Sequence, residues 1–99
     1  MDIKKYTKIF KALSNENRLE IYLKIVEKQE ASFDTGDECF INEIAGCFKI
    51  GAPTISHHIK ELSNAGLIFT EKKGKYLICK VNEGVVDQVS KLLKLQKSK

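Results

Sequence analysis

No stretch of these 99 residues approaches the ~20 consecutive apolar positions that a membrane-spanning helix needs. The opening MDIKKYTKIFKAL holds no sustained apolar run either, so no signal peptide is read there and a cytoplasmic protein is expected. Only three cysteines occur, Cys39, Cys47 and Cys79, which in a reducing compartment are most simply free thiols. Internal repeats and low-complexity segments are absent. There is no glycine-rich phosphate loop and no supported Ser/His/acid arrangement, and the chain is short for a substrate cleft, so an enzyme is not expected. Nothing calls for a cofactor.

What is present is charge, unevenly placed. Residues 1–50 carry eight basic and nine acidic side chains, a net of −1, whereas residues 51–99 carry nine lysines and four acids, a net of +5. A basic half of this kind is the electrostatic footprint expected of a nucleic-acid-binding surface. The length is that of one domain, residues 1–99, with a small core that dimerisation would help to stabilise.

Residues 41–66, INEIAGCFKIGAPTISHHIKELSNAG, form the most informative segment. Ile41, Ile44, Ala45 and Phe48 share one face of a helix that Asn42 can cap and that should end near Gly51. Pro53 suits the first turn of a second helix, since its missing N–H has no partner there in any case. Ile55, Ile59 and Leu62 then form an inward stripe, and Gly66 is placed to close the helix in the left-handed conformation. Two such helices around a short glycine-containing turn make a helix-turn-helix. The second helix presents Thr54, Ser56, His57, His58 and Lys60, whose hydroxyls, imidazoles and ammonium suit base edges and phosphates. The same side chains would serve as an ordinary solvated face. His57 and His58, about 100° apart around the helix, are badly placed to chelate one ion. His57 is the better DNA-facing candidate, while His58 either joins it or sits at the edge of the core, hydrogen-bonded to a neighbour.

Residues 67–81, LIFTEKKGKYLICKV, read as a hairpin of Leu67–Thr70 and Tyr76–Val81 with Gly74 in its turn. Lys72, Lys73 and Lys75 cluster at the tip against Glu71 alone. Such lysines guard strand edges in many proteins. Placed directly after a helix-turn-helix, they also read as a wing that grips the sugar-phosphate backbone.

Ile3, Tyr6, Ile9, Phe10 and Leu13 mark a first helix, and Asn15 caps a second from about Glu16 to Gln29 with Leu19, Tyr22, Leu23, Ile25 and Val26 as its core residues. Val85, Val86, Val89, Leu92 and Leu93 mark a last helix from about Glu83 to Lys97. The terminal helices, 2–13 and 83–97, carry more apolar surface than so small a core can absorb, and a two-fold interface between copies would cover it. Residues 30–38, EASFDTGDE, read as a polar connection leading to a short strand at Cys39–Ile41 that pairs with the wing. The expected architecture is mainly α with a small β-hairpin (α+β), about five helices plus a two- to three-stranded wing.

The segments KIFKALSNENRLEIYLKI, NEIAGCFKIGAPTISHHIKELSNAGLI and KKGKYLICKV resemble the ArsR/SmtB family of winged-helix repressors, from about Lys8 to Val81. The specific part is PTISHHIKEL followed by NAGLI. In ALSNENRLEI, Glu16 stands where a proline is common in the family. The resemblance implies a homodimeric repressor that binds double-stranded operator DNA and releases it on meeting an inducer. Pro53, Thr54, Ser56, His57 and His58 would lie at the major groove, with Lys60, Lys72, Lys73 and Lys75 on phosphates. Many members sense metals through a Cys-x-Cys pair, but the matching positions here are Phe40 and Asn42. Another family site uses Asp and His on the last helix, and no histidine follows Asn82. Neither metal site carries over. Cys39 and Cys79 stand as weak candidates for a thiol or soft-metal switch, with Asp34, Asp37 and Glu38 nearby in the sequence. Against this, free cysteine commonly packs as a small hydrophobe, Cys47 beside Phe48 above all. A winged-helix module that binds protein through its wing or third helix is the alternative from a different class.

Overall fold

The computed structural model describes residues 2–35 and 40–94. Helices α1 (Ile3–Leu13) and α2 (Glu16–Thr35) lead to α3 (Ile41–Ala45) and α4 (Ala52–Asn64). A hairpin of β1 (Ile68–Lys73) and β2 (Tyr76–Val81) follows, and α5 (Glu83–Leu93) ends the described chain. This is the winged helix-turn-helix architecture expected from the sequence.

Three helices start on side-chain caps of the type expected for an orphaned first turn. Asp2 accepts from the Lys5 N–H at 3.1 Å, Asn15 from the Arg18 N–H at 3.0 Å, and Asn82 from the Val85 N–H at 3.3 Å. Asn82 also donates through its amide to the Gly66 carbonyl at 2.8 Å, while its backbone N–H reaches the Leu67 carbonyl at 3.0 Å. One residue thereby ties the start of α5 to the end of α4. At that end, Gly66 has φ +80°. Its N–H bonds the Ser63 carbonyl and the Leu67 N–H bonds the Leu62 carbonyl, each at 3.0 Å, which is the Schellman pattern.

The core is built mainly from isoleucine: Ile9, Ile21, Ile25, Ile44, Ile55 and Ile68 are fully buried, together with Leu62 and Cys79. Burying each such aliphatic side chain stabilises the fold by ~1.5–3 kcal/mol relative to exposure. That burial is what holds α3, because five residues are far too few for a helix stable by its own hydrogen bonds. The face that α2 buries is carried by Ile21, Tyr22 and Ile25, at helical spacing. Leu19 and Leu23, expected inside, are 38% and 55% exposed. Ile3, Phe10, Val86 and Leu93 likewise remain exposed on the terminal helices.

Several boundaries depart from the sequence reading. α2 continues past Gln29 to Thr35, because polar composition alone does not stop a helix and the first glycine after Glu16 is Gly36. α3 ends at Ala45 rather than near Gly51: the Cys47 and Phe48 N–H groups bond back three residues, to Ile44 and Ala45, in tightened turns. Gly51 instead serves as the N-cap of α4. Asn42 caps nothing, since Phe40 is the N-cap of α3 and offers only its backbone carbonyl, to Glu43 and Ile44. Its backbone is extended and forms a single antiparallel bridge with Ile78, which is all that the described residues show of the expected third strand. Cys39, Asp37 and Glu38 lie outside the described residues, as does the stretch 95–97 of the expected last helix.

Nothing lies within 4 Å of a Cβ built on Gly66, so an alanine there is opposed by backbone conformation alone. Gly66→Ala is expected to lower the unfolding free energy by ~1–2 kcal/mol, read as a lower urea midpoint with an unchanged denaturant slope.

Candidate nucleic-acid interface

Helix α4 divides cleanly into two faces. Ile55, His58, Ile59 and Leu62 are buried, and Pro53, Thr54, Ser56, His57 and Lys60 are exposed. No side chain caps its N-terminus. The Thr54 and Ile55 N–H groups bond the Gly51 carbonyl, at 3.0 and 3.1 Å, and the partial positive charge of the helix start lies beside the hydroxyls of Thr54 and Ser56.

His58 does not join this exposed face. It is buried, and its Nδ1 accepts a hydrogen bond from Arg18 Nε at 3.3 Å. Of the two places that the sequence allowed it, the structure assigns the core edge. The reason is positional: His58 follows Ile55 by three residues and precedes Leu62 by four, so it shares their side of the helix. Loss of hydration on burial lowers its pKa from the usual 6.5, with smaller contributions in the same direction from Arg18 and His57. His57 stays outside, its ring centroid 6.0 Å from that of His58.

The wing is tighter than the sequence implied. β1 continues through Glu71, Lys72 and Lys73, and these pair with Ile78, Leu77 and Tyr76. Only Gly74 and Lys75 form the turn. Gly74 has φ +64° and no other residue type takes a positive φ among the described residues, which is the pattern of a type II′ turn with glycine first. Lys72 and Lys73 thus project from a paired strand, and all three wing lysines are exposed. Lys75 Nζ lies 5.6 Å from the Tyr76 ring centroid, and Tyr76 meets Phe40 edge-on at 5.6 Å. Tyr76 was not singled out from the sequence; an aromatic next to a hairpin turn gave no sign that it would brace the wing against the start of α3.

A groove of about 340 Å³ joins the two parts of the surface. Its lining includes Ser56 on α4, Asn42 and Ala45 on α3, and Lys75 and Tyr76 on the wing. The exposed face of α4, at Ser56, and the wing, at Lys75, therefore border one groove.

Of the described cysteines, Cys47 departs from the packed environment expected of it and Cys79 does not. Cys47 is exposed, its Sγ 3.5 Å from the Glu43 carbonyl, because α3 ends before it and it does not follow Ile44 inward. Cys79 is the one packed as a hydrophobe, opposite Thr70 in the sheet. Among the described residues, no three His, Cys, Asp or Glu side chains cluster to hold a metal ion. No described helix is long and apolar enough to cross a membrane.

The family description "bacterial regulatory protein, arsR family" matches residues 15–69, more than half of the chain. The protein belongs to the ArsR family of bacterial regulators. It is similar to the uncharacterised HTH-type transcriptional regulator YbzH of Bacillus subtilis, with 33% identity over 95 residues covering 89% of this chain and 94% of that one. The arsenical resistance operon repressor of the same organism is 31% identical over 85 residues, covering 86% of this chain and 73% of the repressor. Among solved structures, an ArsR-like transcriptional regulator from Rhodococcus sp. RHA1 superposes with a TM-score of 0.72 at 19% identity, covering 91% of this chain and 76% of that one. The homodimeric winged helix-turn-helix DNA-binding domain of Mb0332 from Mycobacterium bovis gives 0.70 at 20% identity, with 92% and 76% covered. At such identities the structural matches establish the shared fold.

The lowered His58 pKa has a stability consequence. Between the folded value and 6.5 the unfolded chain binds more protons than the folded one, so stability rises with pH across that window. The contribution of neutral His58 is complete above about 6.5 and is lost as pH falls through the folded value. Thermal unfolding followed between pH 7.5 and 5.5 is expected to show a falling midpoint, and His58→Gln is expected to flatten that fall.

Proposed function

We propose that this chain is a homodimeric, sequence-specific DNA-binding repressor. In this reading the whole chain is one winged-helix unit, and α4 enters the major groove with Thr54, Ser56 and His57 toward base edges. Pro53 opens that helix at the backbone. Lys60 and the wing lysines Lys72, Lys73 and Lys75 sit on phosphates. The observation that carries the proposal is the continuity of the exposed α4 face with the lysine-bearing hairpin, around the groove shared by Ser56 and Lys75. His58, held inside, is left out of the contact set.

Two copies are supported by the apolar side chains that α1 and α5 leave exposed, Ile3, Phe10, Val86 and Leu93. The two helices are adjacent, since Lys5 Nζ donates to Gln88 Oε1 at 2.8 Å. A two-fold arrangement presents two recognition helices to half-sites about one helical turn apart. The Cys-x-Cys pair through which many members of the family sense metals is matched here by Phe40 and Asn42, so that mode of control does not carry over. A protein-binding winged helix is the competing reading, but the basic wing and the Ser/His face of α4 favour a polyanion.

Mobility shift on duplexes from the protein's own promoter region tests the proposal. Ser56→Ala or His57→Ala is expected to weaken binding to the preferred sequence by ~1–3 kcal/mol while sparing other sequences. Lys72→Ala with Lys73→Ala is expected to weaken all duplexes alike and to make binding less salt-dependent. Salt-independent capture of a protein partner with no shift of any duplex would reject it.

A further inference from the structure

Among the described residues His58 is the one polar side chain buried in the core, and its partner Arg18 is the only arginine in the chain. Arg18 does more than satisfy the imidazole. While Nε donates to His58 Nδ1, Nη1 donates to the Ala12 carbonyl at 3.2 Å. Ala12 stands in the last turn of α1, where backbone carbonyls have lost their intrahelical partners. A single guanidinium, projecting from the first turn of α2, thereby joins the recognition helix to the end of α1.

We propose that Arg18 is a positioning residue for DNA recognition, fixing the roll of α4 about its own axis by clamping His58 to α1. The proposal rests on the DNA-binding reading above. The Asn82 hydrogen bonds fasten the residues just beyond the C-terminal end of α4, whereas along the helix itself the other buried side chains are Ile55, Ile59 and Leu62, and apolar burial is non-directional. It favours keeping these residues inside but discriminates weakly between small rotations. A roll of about 10° moves a side-chain atom at the helix surface by about 1 Å. Hydrogen bonds to base edges tolerate only a few tenths of an ångström. His57 neighbours His58 in sequence, so whatever holds one ring sets the direction of the other.

The chemistry suits arginine in particular. Its planar fork offers donors in fixed directions, so two acceptors on different helices are held at a set spacing, whereas a lysine ammonium is a point charge on a flexible stem. An imidazole that accepts at Nδ1 carries its proton on Nε2 and is neutral. The charged and titratable groups around the pair are His57 and Glu61 on α4 and Lys8 and Lys11 on α1, the last three lining the cleft beside Arg18. Because α1 is one of the helices assigned to the two-fold interface, the clamp also relates each recognition helix to the dimer axis.

The test uses the full chain, with Arg18→Lys, His58→Gln and the double variant, each checked for folding by circular dichroism. Binding is measured over a salt series to a duplex selected from a random pool by the wild-type protein, and to an unselected duplex of equal length. Arg18→Lys is expected to lower affinity for the selected duplex by about tenfold, the scale of one lost base contact, with unselected binding and the salt slope unchanged. Adding His58→Gln is expected to produce little further loss, since the two residues act as one unit. Nitrogen-15 shifts of His58 are expected to report the Nε2–H tautomer in the wild type and to move in Arg18→Lys. Equal weakening of both duplexes with a salt slope reduced by about one would overturn the proposal by making Arg18 a phosphate contact. A lower melting temperature with selectivity intact would also overturn it, leaving Arg18 a purely structural role. If the wild type selects no duplex, the DNA reading fails with it, while the His58 tautomer still reports whether the clamp exists.

Discussion

The inward face of α4 is the constraint on which the rest depends. Ile55, His58, Ile59 and Leu62 must be covered, and α1, α2 and the start of β1 are arranged to cover them. Once they are, the residues between them have no choice but to face water, and Thr54, Ser56, His57 and Lys60 become a surface. The outer chemistry of this helix is therefore set by what its other side buries. That is why a histidine pair can divide so sharply, one ring held by an arginine inside the protein and the other exposed to solvent.

Much of this was legible in the sequence because the relevant signals are local. Pro53 and Gly66 bracket α4 by backbone chemistry, and the three-four spacing of Ile55, Ile59 and Leu62 orients it. The hairpin followed from two β-prone runs around Gly74. What was missed needed the third dimension. The polar residues after Gln29 looked like a loop, yet helix propensity, not polarity, decides where a helix stops. Leu19 and Leu23 looked like core because they are apolar, but Ile21 and Ile25 occupy that side of α2. Cys47 lies outside the core because α3 proved shorter than its apolar pattern. Arg18 carried a faint signal, being a lone arginine among seventeen basic residues, but its two acceptors lie on other helices.

The distribution of exposed apolar residues separates two kinds of surface. Around α4 and the wing, the exposed side chains are mainly hydroxyls, imidazole and lysines, with Phe69 and Tyr76 as exposed aromatics on the hairpin. On α1, α2 and α5 they are Ile3, Phe10, Leu23, Val86 and Leu93, with a groove of about 540 Å³ between α2 and α5. The first surface suits a hydrated, charged partner and the second a dry one. Covering the second would add stability to a chain this short while leaving the first available.

The two-residue turn at Gly74 and Lys75 has an entropic consequence. Lys72 and Lys73 stand on backbone already ordered by pairing with Leu77 and Tyr76, so their main-chain freedom was surrendered when the chain folded. Any polyanion that meets the wing then has to immobilise only side-chain rotamers. A looser basic loop of equal charge would have to be stiffened at the moment of encounter, and part of its electrostatic attraction would be consumed in doing so.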